Sequence, residues 1–141
     1  MRNLFAVLLL TLVISSCGNK EPFDAETERL NLIDARENTM PIITEMLDAR
    51  REVLTKVGNF NTLDDASKEI ITEMGQEMNE ANNALVQWVS DFNRNIAKYM
   101  DMENGAPEQQ EWMEDKMDEL EDIVDNIKDA TKNAQKISKK F

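Results

Sequence analysis

The chain has 141 residues, with 28 acidic and 16 basic side chains, no histidine and one cysteine, for a formal charge of −12. So acidic a chain is repelled by nucleic acid and by anionic headgroups, which argues against a nucleic-acid partner. Lacking histidine, it lacks the commonest general base and transition-metal ligand, and one cysteine cannot close an internal disulfide.

Read in chain order, Met1-Arg2-Asn3 supplies one positive charge, and Leu4–Ile14 is an apolar run interrupted only by Thr11. That run spans roughly 16 Å as a helix, too short for a hydrocarbon core of about 30 Å. A basic start, a short apolar stretch and small residues at its end predict a secretory signal over residues 1–16. Ile14-Ser15-Ser16-Cys17 resembles the bacterial lipobox: an aliphatic residue, two small ones, then cysteine. The resemblance implies cleavage between Ser16 and Cys17, a diacylglyceryl group on the Cys17 sulfur and usually an acyl chain on its new amine. It accounts for a leftover thiol in an exported chain. The covalent lipid would be the only prosthetic group, and the bilayer the first partner.

Gly18–Pro22 is polar, and residues 17–23 are expected to form a lipidated tether. Five extended residues reach at most about 18 Å, which keeps the folded part near the bilayer. Gly18 stands where an inner-membrane retention signal would place Asp. By analogy with enterobacterial sorting this favours the outer membrane, on its periplasmic or surface side. Removing residues 1–16 leaves 15 basic against 28 acidic side chains, a charge of −13.

The remainder, 24–141, is read as one all-α domain, an elongated up-down-up antiparallel bundle of three helices. Glycine and proline are scarce, and strong helix formers dominate. The first helix is expected over about 24–57. Ile33, Met40, Leu47 and Leu54 recur every seven residues, flanked by Leu32, Ile43, Met46, Val53 and Val57, and form its apolar stripe. Pro41 lies inside, and the pattern runs through it, so a kink is expected, with a break near Asn38-Thr39 as the alternative. Gly58 is a natural left-handed stop.

The second helix is expected over about 62–101, with Thr62-Leu63-Asp64-Asp65 as a capping box in which Asp replaces Glu. Ile71, Met78, Leu85, Phe92 and Tyr99 form one row, and Met74, Ala81 and Trp88 the row beside it. Asn95 continues the second row, either as a register-fixing polar residue or at a wet helix end. Asn104-Gly105-Ala106-Pro107 breaks the pattern, and Pro107 suits the first turn of a third helix over about 107–140. Its stripe is Met113, Leu120, Ile127, Ala134 and Phe141, with Met117, Val124, Ile123, Ala130 and Ile137 beside it. Acids crowd its start and lysines its end, which complements the helix dipole.

No phosphate loop or nucleophile elbow is present. Glu111, Asp115, Asp118 and Asp122 lie off the stripe and lack the burial that tunes a catalytic carboxylate, so no catalytic residue is assigned. Asp101–Gly105 fails as a calcium loop, because its glycine falls one position early and Trp112 occupies the twelfth place. Met100, Met102, Met113 and Met117 form the one alternative metal set, since thioethers select Cu(I). Met113 and Met117 also fit the core stripe, where methionine commonly fills gaps.

The pattern resembles small helical lipoproteins of Bacteroidota-type bacteria. The resemblance rests on Ile14-Ser15-Ser16-Cys17, the Met40-Pro41 pair in an early helix and Trp88 in the second. That resemblance brings no activity with it; the expectation from the sequence is a membrane-anchored envelope protein, not an enzyme, that binds another envelope protein through a helix face. A copper-binding lipoprotein and a coiled-coil spacer are the rival readings. The narrow stripes also leave room for a homo-oligomer.

Overall fold

The computed structural model describes residues 22–141, so the expected signal segment, Cys17 and the expected tether up to Glu21 lie outside the described residues. Three helices follow: α1 (Ala25–Val57), α2 (Asp65–Met100) and α3 (Pro107–Ser138). A 3₁₀ turn, Phe60–Thr62, precedes α2.

Each boundary has a local cause. Asp24 caps α1 by accepting from the Thr27 amide at 3.2 Å, and Gly58, at φ 65°, ends it. The cap of α2 is Asp64, not the expected Thr62. The Asp64 carboxylate accepts from the Ser67 amide at 2.9 Å, while Thr62 belongs to the 3₁₀ turn that Asn59 holds. Pro107 opens α3 as expected, with Ala106 as a cap that has no side-chain bond. Gln109 makes up for this. Its Oε1 accepts from the Gly105 amide at 2.9 Å, and its Nε2 donates to the Tyr99 carbonyl at 2.7 Å. This joins the end of α2 to the start of α3 through a side chain only 1% exposed. Gln109→Leu should cost about 1 kcal/mol in urea unfolding, because the half-buried Gly105 amide loses its acceptor, while the Tyr99 carbonyl keeps the Met102 amide.

The connections make an up-down-up bundle. Lys56 Nζ donates to the Ser138 carbonyl, and the Ser138 hydroxyl donates to Glu52, which pairs the C-terminal ends of α1 and α3. At the other end the Asn104 side chain accepts from the Ala25 amide at 2.9 Å. α1 and α3 are therefore parallel. Trp88 with Lys116, and Glu77 with Asn133, set α2 antiparallel to α3. α3 packs closely on both neighbours, whereas the backbones of α1 and α2 seldom approach each other. Small buried residues of α3, Ala130, Thr131, Ala134 and Ser138, permit the close approach of α1.

The rows expected for α2 are the buried ones: Ile71, Met78, Leu85 and Phe92, with Met74, Ala81 and Trp88 beside them. Asn95 is half-buried and donates to the Asp91 carbonyl and carboxylate of its own helix. In α3, Met113, Leu120, Ile127 and Ala134 are buried, but Phe141 lies past the helix end, 41% exposed. Of the residues expected beside it, Ala130 and Ile137 are buried, while Met117, Ile123 and Val124 are half-buried; the buried positions also include two polar residues, Gln109 and Lys116.

The first helix departs most from expectation. It runs unbroken through Pro41, but its stripe is displaced by one residue. Leu32, Thr39, Met46 and Val53 are buried, while Met40, Leu47 and Leu54 are exposed and Ile33 only half-buried. Thr39 hides the true row from hydropathy. It is 1% exposed, and its hydroxyl donates to the Arg36 carbonyl at 2.6 Å, so it enters the core with no unmet hydrogen bond.

Candidate functional site

Cys17 and Ser16, the residues expected to carry lipidation and cleavage, lie outside the described residues. What the structure does place is the start of α1, just after the expected tether. Asn104 Nδ2 donates to the Phe23 carbonyl, and Asn104 Oδ1 accepts from the Ala25 amide. The start of α1 is thus fastened to the α2–α3 turn. In this way Asn104, part of a stretch that fails as a calcium loop, acts as a clasp.

Three of the four methionines, Met100, Met113 and Met117, belong to one core cluster. Met113 is buried in the core. Met117 lines the same groove as Met113, beside Phe23 and Glu28. Met100 packs against the core cluster, while Met102 sits half-buried in the turn and belongs to neither core cluster. Among the described residues, no group of three or more carboxylates or thiols is arranged to hold a metal ion. Glu111, Asp115, Asp118 and Asp122 are exposed, as expected.

A polar cluster missed by sequence reasoning lies where α2 meets α3. Lys116, whose side chain is 10% exposed, contacts Asp91 at 2.7 Å and Glu119 at 2.6 Å. Its own carbonyl accepts from Trp88 Nε1 at 2.9 Å. These residues border a groove of about 410 Å³. Burial opposes the charge on Lys116, but hydrogen bonds to Asp91 and Glu119 outweigh it and hold the ammonium above the usual lysine range. Through its contact with Asp91 this ammonium cross-links α3 to α2. The bond from Lys116 holds Asp91 below the usual carboxylate range despite some desolvation. An i to i+3 carboxylate partner such as Glu119 is a legible signal, but nothing in the spacing discloses Asp91 on another helix.

Both shifts have a pH consequence. Asp91 is lowered, so its contribution is present above the ordinary value of 3.8 and fades as pH falls through its folded pKa. Lys116 is raised, so its contribution is present below 10.5 and is lost as pH climbs beyond that. Asp91→Asn should therefore flatten the acid limb of a stability profile below about pH 4, by no more than about 1 kcal/mol since Asp91 is half-exposed.

Beside this cluster the aromatic rings form a column. Trp88 stacks on Phe92 at 5.1 Å, Phe92 on Trp112 at 5.9 Å, and Trp112 on Tyr99 at 4.3 Å. The column ties the C-terminal half of α2 to the start of α3. Among the described residues no helix is long and apolar enough to cross a membrane. No family model matches the chain, and no curated protein or solved structure matches it.

Proposed function

We propose that this protein is a lipid-anchored lipoprotein of the bacterial envelope, sorted by Gly18 to the outer membrane, and that it works as a non-enzymatic helical interaction module. The observation that carries the anchoring is Ile14-Ser15-Ser16-Cys17 at the end of a short apolar run. Two or three acyl chains on one residue hold a protein durably, since each buried CH₂ contributes about 0.8 kcal/mol. The module reading is supported by the apolar row Met40, Leu47 and Leu54, which α1 leaves exposed. Mass spectrometry of the mature N-terminus tests the anchor. The expected product begins at Cys17 and carries the mass of its acyl chains, and abundant unmodified Cys17 peptide would refute it.

A further inference from the structure

The row that α1 leaves exposed, Met40 at 59%, Leu47 at 46% and Leu54 at 44%, has a definite relief. A concavity of about 450 Å³ opens on α1 itself, bordered by Leu47, Arg50, Arg51 and Leu54, with Thr55 at its edge. The first four are spaced i, i+3, i+4 and i+7, the diamond into which one side chain of a facing helix fits. Met40, the most exposed member of the row, stands one heptad before this hollow.

Two copies of α1 set antiparallel, each with Met40 in the hollow of the other, match along the whole row. The same register seats Leu47 among Met40, Ile43, Thr44 and Leu47 of the second copy. It also seats Leu54 among Ile33, Arg36, Glu37 and Met40, a diamond of the same spacing. The pairing is isologous, so it closes as a dimer. Set parallel and in register, the copies would put Arg36 level with Arg36 and Arg50 with Arg50. Antiparallel, Arg36 falls level with Leu54 and Arg50 with Met40.

Charge favours this face over others for a like copy. Beside the row, Arg29, Arg36 and Arg51 are already matched on α1 by Glu26, Glu37 and Asp48. A face so neutralised offers little repulsion, although each chain carries −12. The groove between α2 and α3, bordered by Glu77, Glu80 and Asp129, would repel its own copy.

We propose that the exposed row of α1 is the contact of an antiparallel homodimer, each copy seating Met40 between Leu47 and Leu54 of the other. From Ile33 to Leu54 the contact is roughly 33 Å long. One helix pair of that length covers less than the roughly 800 Å² per partner of a standard interface. The dimer therefore exchanges with monomer, with a dissociation constant on the order of 10–100 µM. The inference rests on the interaction-module reading, names a second copy as the partner, and is independent of the lipid on Cys17.

The test uses residues 17–141 with Cys17→Ser, which hold every buried core residue among the described residues. Sedimentation equilibrium from about 5 to 500 µM should show the mass rising from monomer toward dimer. Salt should strengthen association, because it screens two acidic bodies. Met40→Ser with Leu47→Ser should weaken it at least about tenfold while circular dichroism stays unchanged. The register is read with a bismaleimide of about 10 Å, the spacing of packed helices. Thr44→Cys, which the register sets beside its own copy, should cross-link to itself. Glu37→Cys lies about 25 Å from its own copy along the axis and should not, but should join Arg51→Cys when the two are mixed. A monomer throughout overturns the proposal, as does a dimer that survives the serine changes or that salt dissolves. Equal self-linking of Glu37→Cys and Thr44→Cys overturns the antiparallel register. A monomer that phosphatidylglycerol vesicles bind, and that the serine changes release, gives the row to the membrane and overturns the dimer. A monomer still leaves the row open to a different protein, so the two readings fail separately.

Discussion

Trp88→Ala is expected to destabilise the bundle by about 3–5 kcal/mol, read as a fall in the urea midpoint at an unchanged slope. Trp88 is 3% exposed and stands in the second buried row of α2. Truncation removes its stack on Phe92 and leaves a cavity that the helices on either side only partly close. It also deprives the Lys116 carbonyl of its indole donor. Trp88→Phe isolates that last loss: the ring remains, the donor goes, and the cost should fall to about 1–3 kcal/mol. Equal midpoints for Trp88→Ala and the parent would mean that α2 does not bury this row.

Cys17→Ser is expected to abolish lipid attachment altogether. The serine oxygen cannot take the place of the thiolate that receives the diacylglyceryl group, so the product should be uncut or soluble. Acyl-chain labelling and the mass of the N-terminal peptide read this directly. The stability of the folded part should not change, because every buried core residue among the described residues lies between Ala25 and Ile137. A variant that is still cleaved at residue 17 and still sediments with membranes in high salt would place the anchor elsewhere. The bundle's charge makes such an outcome informative, since an acidic surface gives an anionic membrane little to hold.

How far the sequence speaks differs from helix to helix. In α2 both buried rows are apolar almost throughout, so periodicity alone finds them. Gly58 and Pro107 announce the end of α1 and the start of α3, because each has a backbone preference that few other residues share. In α1 two apolar rows lie one residue apart, and hydropathy prefers the one without a threonine. Burial chose the other, because the helix must turn a single face to α3, and Thr39 meets its own hydrogen-bonding need within the helix. Lys116 was missed for a related reason. A lysine reads as solvated unless a carboxylate on another helix waits for it.

The sequence by itself therefore determined the all-α class, the three helices and the positions where they stop, since propensity, caps and punctuation are local properties. It also contains the motif at Cys17 on which the proposed anchoring depends. Only the tertiary structure decided which flank of α1 is buried and that α3 lies close to both other helices. These are properties of pairs of helices, set by the small residues of α3 and by ion pairs between elements, and a single helix's periodicity does not record which neighbour covers it.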